Sequence, residues 1–188
     1  MFGVLLSFMI SSLDYNEVGL NYSGIFSSVE KKTFTSGIHL LGIGHYFLKF
    51  PTTVQSLEFS NNRGADLPTI NCRTQDGLTL SLEVSYQFRI QQENLYSIYM
   101  RFGTDYKTYL LRETIDAISD VATRYPSVQF FTDRFPISQA MQVELAAALK
   151  TKAFMDVVFF QLRSVDLPDR YEDAIRKTEV TKQDIFKA

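Results

Sequence analysis

Between Leu78 and Ile90 apolar and polar residues alternate without a break. Leu78, Leu80, Leu82, Val84, Tyr86, Phe88 and Ile90 stand against Thr79, Ser81, Glu83, Ser85, Gln87 and Arg89. Successive side chains of a strand point to opposite faces, so this period of two predicts a long strand with one buried and one solvated face. Thr74-Gln75-Asp76-Gly77 stands just before it, and the Asp-Gly pair supplies the positive φ angles of a tight hairpin turn. The preceding strand, near Thr69–Arg73, should then pair antiparallel with it. From Tyr15 onward the chain keeps this strand-like character, punctuated by Gly19, Gly24, Gly37, Gly42, Gly44, Pro51, Gly64 and Pro68.

After Ile90 the period changes. Asn94 to Phe102 predicts a short helix, and Gly103-Thr104 a stop followed by the N-cap of a long helix running to about Tyr125. On that helix Tyr106, Leu110, Thr114, Ile118, Val121 and Tyr125 recur at spacings of three and four, with Leu111, Ile115 and Ala122 widening the stripe. Pro126 and Pro136 interrupt. Ser138 can cap a third helix, about Gln139 to Phe154, with Met141, Leu145, Ala148 and Leu149 on its buried face. Asp156 to Leu167 returns to strand composition, and Asp166-Leu167-Pro168 reads as a strand ending and a helix starting. The class is α+β. The expected division is an apolar segment at 1–13, one domain at 14–167 and the start of a C-terminal helix at 168–188.

The two ends differ from the middle. The first charged side chain is Asp14, so MFGVLLSFMISSL carries only the terminal amine. Thirteen helical residues would be about 20 Å long, against roughly 30 Å of bilayer hydrocarbon. A secretory signal would want a basic start and a small-x-small site, and neither is written. A membrane-dipping anchor or the clipped end of a longer transmembrane helix fits these residues. A first strand or helix tucked into the core fits them equally well. From Pro168 to Ala188 the sequence is helix-permissive but poor in apolar residues. Tyr171, Ala174, Thr178, Thr181, Ile185 and Ala188 mark a thin heptad seam, the expected beginning of a coiled coil that continues past Ala188.

Composition removes whole classes of function. Nineteen Lys+Arg against 21 Asp+Glu give a net charge of −2, so no basic face recommends nucleic acid. One Cys cannot make an internal disulfide, and with two His it cannot assemble a His/Cys zinc site of ordinary ligand number. Gly42-Ile43-Gly44 lacks the third glycine and following helix of a dinucleotide site, and no GxxxxGK[ST] occurs. His39 and His45 read as packed or surface histidines, and Cys72 beside Arg73 as an incidental strand cysteine rather than an activated thiol. Glu113, Asp116 and Asp120, with Arg112 and Arg124 at four-residue spacing, read as a salt-bridged solvent face. Asp166, Asp169 and Asp173 read as charges favoured at a helix start. Asn21-Tyr22-Ser23 matches a glycosylation sequon, relevant only in a secretory lumen. The expectation is no catalytic residue, no metal and no cofactor.

The order of the pieces is more telling than any one residue. An apolar start leads into Glu17-Val18-Gly19-Leu20 and Ser36-Gly37-Ile38-His39-Leu40. Thr74-Gln75-Asp76-Gly77-Leu78 then opens the long strand, and Val165-Asp166-Leu167-Pro168 leads into Tyr171-Glu172-Asp173-Ala174-Ile175. This resembles the SPFH or band 7 family of stomatins, prohibitins and flotillins, over about residues 14–188. The T-x-D-G opener and the D-L-P…A-I exit carry most of the likeness. Gly37-Ile38-His39-Leu40 stands where the family usually has Pro-Gly-x-His. Leu95 to Leu111 is somewhat prohibitin-like and the Thr-Gln-Asp-Gly turn is closer to stomatins, so both subfamilies stay open.

The resemblance implies a curved antiparallel sheet packed by helices, anchored to a membrane at its N-terminus and continuing into a coiled coil. It also implies a non-enzymatic scaffold that assembles with itself or related subunits into rings or cages, organises lipids, and regulates a membrane protease or channel. The mitochondrial inner membrane and the plasma membrane are both open. On this footing Phe2, Val4, Leu5, Leu6, Phe8, Met9 and Ile10 are expected to insert in the membrane. Tyr171, Ala174, Thr178, Thr181 and Ile185 are expected at the oligomer interface. The rival expectation is a soluble adaptor subunit whose apolar start is buried against a partner protein.

Overall fold

In the computed structural model, which describes residues 10–167, period-two stretches form strands and the 3.6-period stretch after Ile90 forms helices. The strands are β1 (Ile10–Leu13), β2 (Glu17–Ser23), β3 (Ser28–Phe34), β4 (Gly37–Leu40), β5 (His45–Pro51), β6 (Gln55–Phe59), β7 (Ile70–Arg73), β8 (Thr79–Ile90) and β9 (Met155–Asp166). The helices are α1 (Leu95–Phe102), α2 (Tyr106–Ala122), α3 (Gln129–Thr132) and α4 (Arg134–Ala153). The chain divides into two compact units. One holds the residues up to Gln55 with Gln87–Leu110 and Ala148–Val158; the other holds Ser56–Tyr86, Leu111–Ala147 and the residues from Phe159.

In the first unit β2 is the middle strand of a three-stranded sheet ordered β3-β2-β5. It runs antiparallel to β5 from Glu17↔Pro51 to Ser23↔His45 without a break. Against β3 the register shifts: Leu20 faces Thr33 but Tyr22 faces Val29, so β3 carries extra residues there. Strands β1 and β4 form a separate antiparallel ribbon, with Ile10 opposite Leu40 and Leu13 opposite Gly37. Leu13 is buried because Gly19 leaves room for it. A Cβ at that glycine would stand 2.9 Å from Leu13 Cδ2 and 3.0 Å from Phe47 Cδ1, so no larger residue fits without displacement. Strand β1 therefore lies inside the stretch 1–13, and the folded part starts before Asp14.

In the second unit β7 pairs antiparallel with β8 from Ile70↔Leu82 to Arg73↔Thr79, as the hairpin pattern predicts. Strands β6 and β9 also pair with β8. Every even residue of β8 from Leu80 to Ile90 is buried, and no odd residue is. The buried Tyr86 hydroxyl shares a hydrogen bond of 2.8 Å with Thr114 Oγ1, so both hydroxyls are satisfied.

The helices correct several boundaries. Helix α2 begins at Tyr106, not after Thr104, and Asp105 Oδ1 accepts from Thr108 Oγ1 at 2.9 Å in its first turn. Helix α4 begins at Arg134, ahead of Pro136 and Ser138. Its missing N–H costs nothing in a first turn, so Pro136 starts this helix instead of interrupting it. The single-turn α3 was not written in the periodicity. Glu113 is buried, not solvated, because it sits four residues before the buried Ala117 and beside Thr114 on a wide apolar stripe. Arg124 does pair with Asp120, as their spacing predicts, and also reaches Glu144 at 3.2 Å.

Leu82, fully buried on β8, should lose about 2–5 kcal/mol of stability as Leu82→Ala. Gln87→Ala, on the exposed face of the same strand, should stay within about 0.5 kcal/mol of the parent. Urea denaturation of the two variants checks the assignment of faces.

Candidate functional site

The most specific motif in the chain closes a turn. Gly77 N–H donates to Thr74 O at 2.9 Å, and Thr74 N–H donates to Leu78 O at 2.9 Å. Gly77 alone takes a positive φ, of 79°, so this is a turn with one left-handed residue and not the two that Asp-Gly suggested. Asp76 is thereby released for another task. Its carboxylate accepts from the Ser127 hydroxyl at 2.6 Å and from the Ser127 N–H at 3.1 and 3.2 Å. Thr74 Oγ1 also donates to it. Gln75 N–H meets Tyr125 O at 2.9 Å, so two successive turn residues hold the segment after α2. Burial works against the Asp76 charge, but the hydrogen bonds from Ser127 and Thr74 together outweigh it and keep its pKa below the ordinary carboxylate value. The arrangement is a brace between a hairpin and a helix end.

The remaining polar candidates are also engaged in packing. The His39 ring lies edge-on to Phe34 and to Phe47, each 5.4 Å away between centroids, and its Nε2 is 2.8 Å from Thr35 O. His45 Nδ1 is 3.0 Å from Asn21 Oδ1, and Asn21 Nδ2 donates to Glu30 Oε2 at 3.2 Å. That engagement leaves the sequon asparagine only 8% exposed. Cys72 is buried, with its pKa pushed up to about 12 by desolvation. Among the described residues no group of three His, Cys, Asp or Glu could hold a metal.

What stands out instead is an apolar surface. In the β1–β4 ribbon the odd residues face the sheet, Leu13 against Gly19 and His39 against Phe47. The even residues Ile10, Ser12, Ile38 and Leu40 then share the opposite face, three of the four aliphatic, and Ile38 and Leu40 are 79% and 70% exposed. Two loops extend this apolar character. The Gly24–Ser27 turn exposes Ile25 and Phe26, and Ile43 is exposed in the loop before β5. Gly24 N–H donates to Gly44 O at 2.8 Å, and a Cβ on Gly44 would meet Ile25 at 2.9 Å, so the two loops touch. Exposed Leu or Ile is ordinary singly; a ribbon apolar on its outer face is not.

A family model described as SPFH domain / Band 7 family matches residues 12–188. The chain belongs to this family. The match covers nearly the whole sequence and includes the turn, the long strand and the β1–β4 ribbon from Ser12 onward. No curated protein matches the chain significantly. Members of the SPFH family are in general membrane-associated and non-enzymatic scaffolds. No helix among the described residues is long and apolar enough to cross a membrane.

Of the residues expected to insert in a membrane, Ile10 is placed in β1, half-exposed beside Leu40 on the outer face of the ribbon. Phe2, Val4, Leu5, Leu6, Phe8 and Met9 lie outside the described residues, as do Tyr171, Ala174, Thr178, Thr181 and Ile185. Ile38, Leu40, Ile25 and Phe26 were missed. The signal was present in Gly37-Ile38-His39-Leu40, where alternation puts both aliphatic residues on one side and the histidine on the other.

Two outcomes follow from these side chains. The depressed Asp76 pKa contributes stability that is present above its unfolded value near 4 and is lost as pH falls through the folded value. Asp76→Asn should lower stability at pH 7 by about 1 kcal/mol, a modest figure because the group is solvent-accessible. It should also flatten the acid limb of the stability profile, as measured by thermal melts from pH 2 to 7. The Cys72 thiol, with a pKa of about 12, has only about one part in ten thousand thiolate at pH 8. It should resist alkylation in the native protein and react at an ordinary rate in urea.

Proposed function

We propose that this protein is a non-enzymatic membrane scaffold whose β1–β4 ribbon and adjoining loops rest on a lipid surface. The observation that carries the reading is the outer face of the ribbon, with Ile10, Ile38 and Leu40 exposed on one side. Membership of a membrane-associated family supports it, as does the uncharged apolar run that precedes Ile10. Burial of apolar side chains at a headgroup boundary contributes about 0.8 kcal/mol per CH₂, so a few aliphatic residues give weak and reversible attachment. Many copies are needed for stable residence.

Assembly supplies them. Copies of this chain, or of related subunits, form rings or cages held by the seam at Tyr171, Ala174, Thr178, Thr181 and Ile185, with avidity replacing affinity. The insertion of Phe2 to Ile10 reinforces each attachment. Such an assembly would organise lipids and regulate a membrane protease or channel in the mitochondrial inner membrane or the plasma membrane.

Vesicle flotation of the full chain tests the attachment. Ile38→Ser combined with Leu40→Ser removes two exposed aliphatic side chains and should cut vesicle recovery at least about tenfold without lowering the melting temperature. Undiminished recovery would remove the ribbon from the attachment. A wild-type chain that floats with no vesicle would favour the soluble adaptor, with a protein covering the same face.

A further inference from the structure

We propose that a cleft directly behind the Gly24–Ser27 turn binds the primary ammonium group of an aminophospholipid headgroup. The proposal rests on the membrane reading above, since it needs the turn to sit at a lipid surface. The cleft encloses about 300 Å³ and is lined by Asn21, Ser23, Ser28, Val29, Glu30 and His45. That volume suits a headgroup and not an acyl chain.

Position favours a headgroup. Ser23 and Ser28 are the cross-strand pair that closes the turn, and Phe26 N–H reaches Ser23 Oγ at 3.4 Å. The turn Gly24–Ser27 stands between this pair and the surface, so the cleft lies directly behind the exposed Ile25 and Phe26. Apolar elements resting on a bilayer bury their apolar side about 5–10 Å into the headgroup and acyl boundary. With Ile25 and Phe26 so placed, the cleft stands at the level of the polar headgroups.

Charge and hydrogen bonding select the group. Glu30 is the one carboxylate of the lining, and no Lys or Arg lines the cleft, so it favours a cation over a phosphate. Asn21 is locked, because its Nδ2 donates to Glu30 and its Oδ1 must therefore accept from His45 Nδ1. That contact puts a proton on His45 Nδ1. The cleft thus presents a carboxylate and two serine hydroxyls able to accept. A primary ammonium brings three N–H donors to such a set. The trimethylammonium of phosphatidylcholine has the same charge and brings none.

Flotation of the full chain with two kinds of vesicle tests this, phosphatidylcholine alone and phosphatidylcholine with about a third replaced by phosphatidylethanolamine. The expected result is about fivefold stronger binding to the second. Glu30→Gln keeps an acceptor for Asn21 and should abolish that preference while leaving binding to phosphatidylcholine unchanged. Equal binding of the wild type to both vesicles overturns the headgroup site alone. A preference that survives Glu30→Gln reports looser lipid packing and overturns it as well. Binding to neither vesicle overturns the membrane reading and this proposal together.

Discussion

A two-stranded ribbon with apolar residues on both faces can bury only one of them against a single sheet. In this chain the inner face is settled by Gly19, whose missing side chain lets Leu13 and Phe47 close over the backbone. Strand alternation then leaves no choice for Ile38 and Leu40, which must point outward once His39 points in. Their exposure is a consequence of the inner packing and persists as long as that packing does. A ribbon of this kind contributes nothing to folding through its outer face, so the apolar residues there need another environment. A lipid surface is the environment that the family assignment favours.

Residues that could have been reactive are engaged elsewhere: Cys72 is desolvated, His39 packs between two rings, and Asp76 braces the end of α2 through Ser127. The Thr-Gln-Asp-Gly motif is therefore specific because of its geometry. Thr74 Oγ1 donates to the Asp76 carboxylate within the turn, and Asp76 also accepts from Ser127, 51 residues along the chain. A side chain shorter or longer than aspartate would lose one of these contacts.

Strand β8 was legible in the sequence because one face is buried and the other solvated along its whole length, the condition under which period two is uninterrupted. Helix α2 was legible for the same reason at period 3.6, apart from Glu113, whose charge argued for solvent although its position argued for the core. Helix starts were less legible. Proline at the third position of α4 is compatible with a first turn, but in sequence it resembles an interruption. The candidate surface was half legible. Its apolar run before Asp14 was plain, whereas Ile38 and Leu40 join Ile10 on one face only when β1 pairs with β4, and Ile25 comes near Gly44 only when the Gly24–Ser27 turn meets the loop before β5. No periodicity within one segment encodes such pairings.

Amide hydrogen exchange of the full chain, with and without vesicles, reads residue by residue whether lipid covers the outer face of the β1–β4 ribbon. If it does, exchange slows at residues 10–13, 24–27 and 37–44 when vesicles are present, with β7 and β8 unchanged. Slowing confined to the residues of the second unit, or no slowing in the ribbon under conditions where the chain floats with vesicles, would contradict lipid cover of the ribbon.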